Sequence, residues 1–173
     1  MIKSLSVCTL TALLFGCAAK PPRTIDLVNQ FNPAEVAWAS RAGTGKILGS
    51  AVIQTAGGIP RTCAGKEVNL IPVSAYSSER MYGIYGGVSK GFVPTSAQRW
   101  NIVRNVAYES SVRKATCDAQ GSFEFDELPS GSYFINTTVI WSTGRQYEPP
   151  TGGGLMLNVT VNEGKSIKAV LTP

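Results

Sequence analysis

The sequence predicts an all-β chain, a sandwich of about seven strands preceded by one short helix and interrupted by one long loop. Three observations lead there. Apolar residues recur with period two in run after run from Lys46 to the C-terminus, the pattern of strands that bury one face. Glycine, proline and Asn/Asp punctuate those runs, and 18 glycines and 10 prolines provide ample turns. The length left after an N-terminal leader is enough for one domain with a sizeable core.

The leader comes first. In MIKSLSVCTLTALLFGCAAK, Lys3 supplies a positive start, Leu5 to Phe15 an apolar run, and Gly16 a small residue before Cys17. That is the layout of a secretory signal, too short for a comfortable membrane span. Leu14-Phe15-Gly16-Cys17 resembles a bacterial lipoprotein signal box, although Phe15 is bulkier than usual at its position. The resemblance implies removal of residues 1–16 and lipidation of Cys17. Ala18, where an aspartate would imply inner-membrane retention, implies the outer membrane. The alternative is an ordinary signal cut after Ala19, with Cys17 discarded.

Cys8 leaves with the signal and Cys17 takes lipid, so Cys63 and Cys117 remain of the four cysteines. In an oxidising compartment they are expected to pair. A zinc site is disfavoured because the chain has no histidine. The formal charge is +5, or +4 without Lys3, and its cations are scattered. Nucleic-acid binding finds no support there, while weak attraction to anionic lipid or polysaccharide surfaces fits.

Residues 17–45 are expected to be a lipidated tether, polar around Pro21-Pro22, followed by a short helix. Asn32 can cap that helix, Pro33 suits its first position and Glu35 stands three residues after the cap. Trp38 reads as a packing anchor. Residues 46–173 form the sandwich. KILGSAVIQT, KEVNLIPV, SFEFD, SYFINTTVIW, LMLNVTV and SIKAVLT alternate as strands, with Phe123 and Phe125 on one face and Glu124 and Asp126 on the other.

Residues 77–114 break the pattern. This stretch is long, rich in glycine and aromatic residues, and reads as an inserted loop in which RWNIVRNVAY is a weak strand candidate. Tyr82, Tyr85, Phe92, Arg99, Trp100 and Tyr108 make it the candidate binding surface, because rings flanked by cations suit sugar rings or a protein partner. The competing reading folds those rings back over the sandwich as a hydrophobic cover.

Thr116-x-Asp118-x-x-Gly121-x-Phe123-x-Phe125-x-x-Leu128-Pro129-x-Gly131-x-Tyr133 resembles the signature of carboxypeptidase regulatory-like domains, a transthyretin-like, Ig-like β-sandwich family. Gly49-x-Ala51, Gly58-Ile59-Pro60 and Ala64-Gly65-Lys66-Glu67-Val68-Asn69-Leu70 are similar to its first hairpin. The resemblance covers much of 46–173 and implies structural roles. Asp118 would bond turn amides, Gly121 would take a positive φ, Phe123 and Phe125 would fill the core, and Leu128 would plug the sheet edge.

Catalytic and cofactor motifs are absent. GTGK at 43–46 lacks the first glycine and the hydroxyl residue of a phosphate loop, and a Ser-His-Asp triad needs a histidine. Glu124 and Asp126 read as solvated strand surface. No cofactor or metal is expected. The expected function is that of a non-enzymatic outer-membrane lipoprotein, a structural or protein-binding module of the envelope. The alternative is a carbohydrate-binding module using the insertion's aromatics. The expected partners are the membrane, through the N-terminal lipid, and an envelope protein or glycan.

Overall fold

The computed structural model describes residues 22–97 and 100–173. The leader, Cys17 and Arg99 lie outside the described residues. The N-terminal part holds β1 (Arg23–Thr24), α1 (Pro33–Val36), a 3-10 turn (Ala37–Ser40), β2 (Gly45–Gln54), β3 (Pro60–Thr62) and β4 (Glu67–Pro72). Next come α2 (Ala75–Tyr85), β5 (Lys90–Pro94), β6 (Trp100–Asn101), α3 (Val106–Ser110) and β7 (Arg113–Thr116). β8 (Ser122–Leu128), β9 (Gly131–Trp141), β10 (Thr151–Val161) and β11 (Ser166–Leu171) complete the chain.

Two sheets form the sandwich. One is five-stranded in the order β5-β10-β9-β4-β7, antiparallel throughout. In the other, β2 pairs parallel with β11 and antiparallel with β8 and β3. The period-two pattern is realised between them. Ile47, Ala51, Phe123, Phe125 and Leu128 meet Val68, Leu70, Tyr133, Ile135, Val139 and Leu155 in one buried cluster. Thr137 shares the inward face of β9 and satisfies its hydroxyl by donating to the Glu67 carbonyl at 2.7 Å.

The turn motif acts as the resemblance implies. The Asp118 carboxylate accepts the amides of Gln120 and Ser122 at 2.9 and 2.8 Å. Gly121 adopts φ +83°, and a Cβ there would lie 2.4 Å from the Thr62 side chain. Leu128 is fully buried, and the Tyr133 hydroxyl donates to the Pro129 carbonyl at 3.0 Å.

Cys63 and Cys117 form a disulfide across 54 residues. It ties the start of the β3–β4 connection to the residue after β7 and so encloses the whole 77–114 segment. Loop closure of that length contributes about 4 kcal/mol in the chain-entropy treatment.

One expectation needs correction: the 77–114 insertion is not a loop. It supplies α2, both short strands β5 and β6, and α3, and β5 and β7 form the two edges of the five-stranded sheet. Among its described residues, RWNIVRNVAY is strand at Trp100–Asn101 and becomes helix α3 from Val106. The cause is a second core on the outer face of that sheet. Ile71, Phe134 and Met156 point outward and would be exposed, but Tyr76, Met81 and Tyr108 cover them, helped by Leu27 and Phe31. α2 is delimited by its own chemistry. The Ser74 and Ser77 side chains each accept the other's backbone amide at the N-terminus, and Gly86 at φ 74° ends the helix.

Asn32 caps α1, accepting the Ala34 amide at 3.1 Å. Glu35 does not close a capping box; its carboxylate accepts the amide of Ala75 at the start of α2, at 3.3 Å. Trp38 is the expected anchor, edge-on to Tyr133 at 5.1 Å and so close to Gly131 that any side chain there would strike its ring.

Candidate binding rim

β1 and β6 form a two-residue parallel pair that sets Arg23 opposite Trp100. The Ile25 amide continues it by donating to the Asn101 carbonyl at 3.0 Å. The N-terminal segment reaches this position by crossing α2 at Gly83, where a Cβ would come within 2.7 Å of Ile25. The Arg23 guanidinium lies 5.9 Å from the centroid of the Trp100 ring, a cation–π arrangement.

Beside that pair lies an open cavity of about 400 Å³ lined by Arg23, Tyr82, Tyr85, Phe92, Ala97 and Trp100, among others. Tyr82 is 63% exposed and Trp100 is half-buried. Tyr85 and Phe92 contribute only part of themselves. Tyr85 packs against the outer core and Phe92 against the inter-sheet core. Burial, and secondarily the neighbouring Tyr108, pushes the Tyr85 phenol up to about 12.

The structure therefore divides the predicted surface. Tyr82, Tyr85, Phe92 and Trp100 meet at one cavity. Tyr108 stands apart in the outer core, 5.1 Å from Tyr76 and 5.7 Å from Phe31, with Arg80 stacked 5.1 Å from its ring. Its phenol is also pushed up to about 12 by burial, against the opposing charge of Arg80. Much of this aromatic content is thus cover, and Tyr82 and Trp100 are the rings that face the open cavity with exposed surface. The residue that sequence reasoning missed is Arg23, assigned there to the tether. Its two-residue pairing with a strand far along the chain leaves no periodic signal.

A larger groove of about 630 Å³ between α1 and α3 is lined half by alanines and serines, with Arg41, Arg113 and Glu127 as its charged residues. Its aromatic residue, Phe31, is already engaged with Tyr76 and Tyr108. The acidic strand face carries no paired acids, because Glu124 bonds Lys46 at 2.5 Å and Asp126 lies 3.8 Å from Arg113. These are exposed ion pairs.

No protein-family profile and no curated protein matches the chain. Its fold is similar to the crystal structure of a candidate carbohydrate-binding protein from Pseudomonas aeruginosa, with a TM-score of 0.71 and 27% identity over 86% of this chain and 100% of that one. A minor pilin from Streptococcus agalactiae matches with a TM-score of 0.38 and 15% identity, over 76% of this chain and 44% of the pilin.

Proposed function

We propose that the chain is a non-enzymatic, lipid-anchored module of the outer membrane that binds saccharide at the Arg23–Tyr82–Trp100 rim. One observation carries the reading: an exposed tyrosine on α2 and a half-buried tryptophan on β6 line one open cavity beside the edge strand β5. Sugar rings present faces of C–H groups that pack on aromatic faces, and the ring hydroxyls remain hydrated at an open site. The similarity to the Pseudomonas aeruginosa protein agrees with this choice over a purely structural module. Kinship with carboxypeptidase regulatory-like domains belongs to the same reading and is supported by the turn roles of Asp118, Gly121 and Leu128.

The non-catalytic part of the proposal rests on the side-chain inventory. The chain has no histidine, and Glu124 and Asp126 on β8 are engaged by Lys46 and Arg113. Lipid anchoring rests on the Cys17 signal box. From Cys17 to Arg23 the chain advances by six residues, so full extension would keep the rim within about 20 Å of the acyl chains. The binding site would then work close to the membrane surface.

Glycan-array binding by the purified chain tests the proposal. Binding is expected to disappear in Trp100→Ala and to weaken in Tyr82→Ala, with circular dichroism and melting unchanged. Binding retained in both variants refutes the rim as the site.

A further inference from the structure

We infer that the rim's ligand is an acidic saccharide, a polysaccharide segment bearing a carboxylate or phosphate beside the sugar ring that stacks. This rests on the saccharide reading above and names its ligand class. Among the described residues, Arg23 is the one charged side chain lining the cavity, and no carboxylate lines it. Its neighbours there are rings, glycines and short aliphatic residues.

Elsewhere on the surface, several cations are paired with carboxylates of the same chain. Lys46 pairs with Glu124, Lys114 with Glu67, Arg104 with Glu109 and Arg145 with Glu148. Arg23 makes no such pair among the described residues. It is instead held in place by backbone pairing to β6 and by the Trp100 ring. A ring engages the π face of a guanidinium and leaves its edge N–H groups available, in the fork geometry that fits a carboxylate or phosphate. Because the cation is already positioned, little side-chain freedom remains to be lost on binding. A neutral sugar would use only the rings, whereas an acidic one adds a charge-assisted hydrogen bond. The net positive charge, +5 or +4 without Lys3, favours the approach of polyanions without deciding where they dock.

Calorimetric titration of the full chain with a short oligogalacturonate, and with the same oligomer fully methyl-esterified, separates charge from ring shape. The acid is expected to bind about tenfold tighter than the ester, the scale of one added charged hydrogen bond. Arg23→Gln should abolish that difference while ester binding persists. Lys168→Gln, which removes an exposed cation from the other sheet, should leave it intact. Equal affinity for acid and ester, or a preference that survives Arg23→Gln, overturns the inference and leaves the saccharide reading standing. Binding to vesicles displaying a glucuronyl glycolipid, with none to the soluble acid, reassigns the charge to a lipid headgroup and overturns the polysaccharide assignment. An absence of binding to any glycan overturns both.

Discussion

At the scale of single residues, glycines and buried phenols carry the sharpest expectations. Gly121 and Gly58 both adopt positive φ, +83° and +76°, yet only Gly121 is crowded, with Thr62 at 2.4 Å from a built Cβ. Gly121→Ala should therefore cost about 3 kcal/mol and Gly58→Ala about 1 kcal/mol, the difference being steric. Urea denaturation of the two variants measures both, and equal losses would contradict the crowding. The phenols of Tyr85, Tyr108 and Tyr133 are each pushed up to about 12 by burial. An unfolded tyrosine ionises near pH 10. Native values above unfolded ones mean that their contribution to stability is intact below about pH 10 and is lost as pH rises toward 12. Phenolate absorbance should rise for these three only as the fold melts. Their ionisation near pH 10 with native circular dichroism would contradict that burial.

At the scale of elements, the disulfide is the strongest local constraint. Cys63→Ala/Cys117→Ala should lower the melting temperature by about 10 °C, from roughly 4 kcal/mol of loop closure in a domain of this size. Hydrogen exchange should quicken across 77–114 before the inter-sheet strands, because that segment lies inside the closed loop. Unchanged melting would count against the bridge's weight in stability. The strands were legible in the sequence because sheet alternation is local: Tyr133, Ile135 and Val139 are buried on β9 at every second or fourth position. α2 was not legible, for two physical reasons. Its buried stripe of Tyr76, Ser77 and Met81 includes a serine that serves the cap, and Gly83 inside it reads as a breaker although it is the crossing point of the N-terminal segment. Likewise Phe134 and Met156 are buried on faces that alternation assigns to solvent. A sheet covered on both sides loses its two-residue signature.

At the scale of the whole molecule, one sheet is shared by two cores, and the insertion serves first as a cover and second as the edge of a cavity. That explains why half the predicted surface dissolved into packing while Tyr82 and Trp100 stayed accessible. It also explains how Arg23, distant in sequence, joins them: the segment entering the domain must cross α2 to complete the outer core with Leu27 and Phe31. Anything that loosens that crossing should disturb the rim. Gly83→Val, which places a branched side chain where Ile25 passes, is expected to weaken glycan binding more than it lowers the melting temperature; the reverse order would separate the crossing from the site. The most direct test of the account is amide NMR of the chain during titration with the acidic oligosaccharide. Shifts are expected only at Arg23, Thr24, Tyr82–Gly86, Val93, Thr95–Ala97 and Trp100, including its indole N–H. Shifts centred instead on the exposed apolar pair Leu48 and Val170 of the other sheet, or none at saturating sugar, would contradict it.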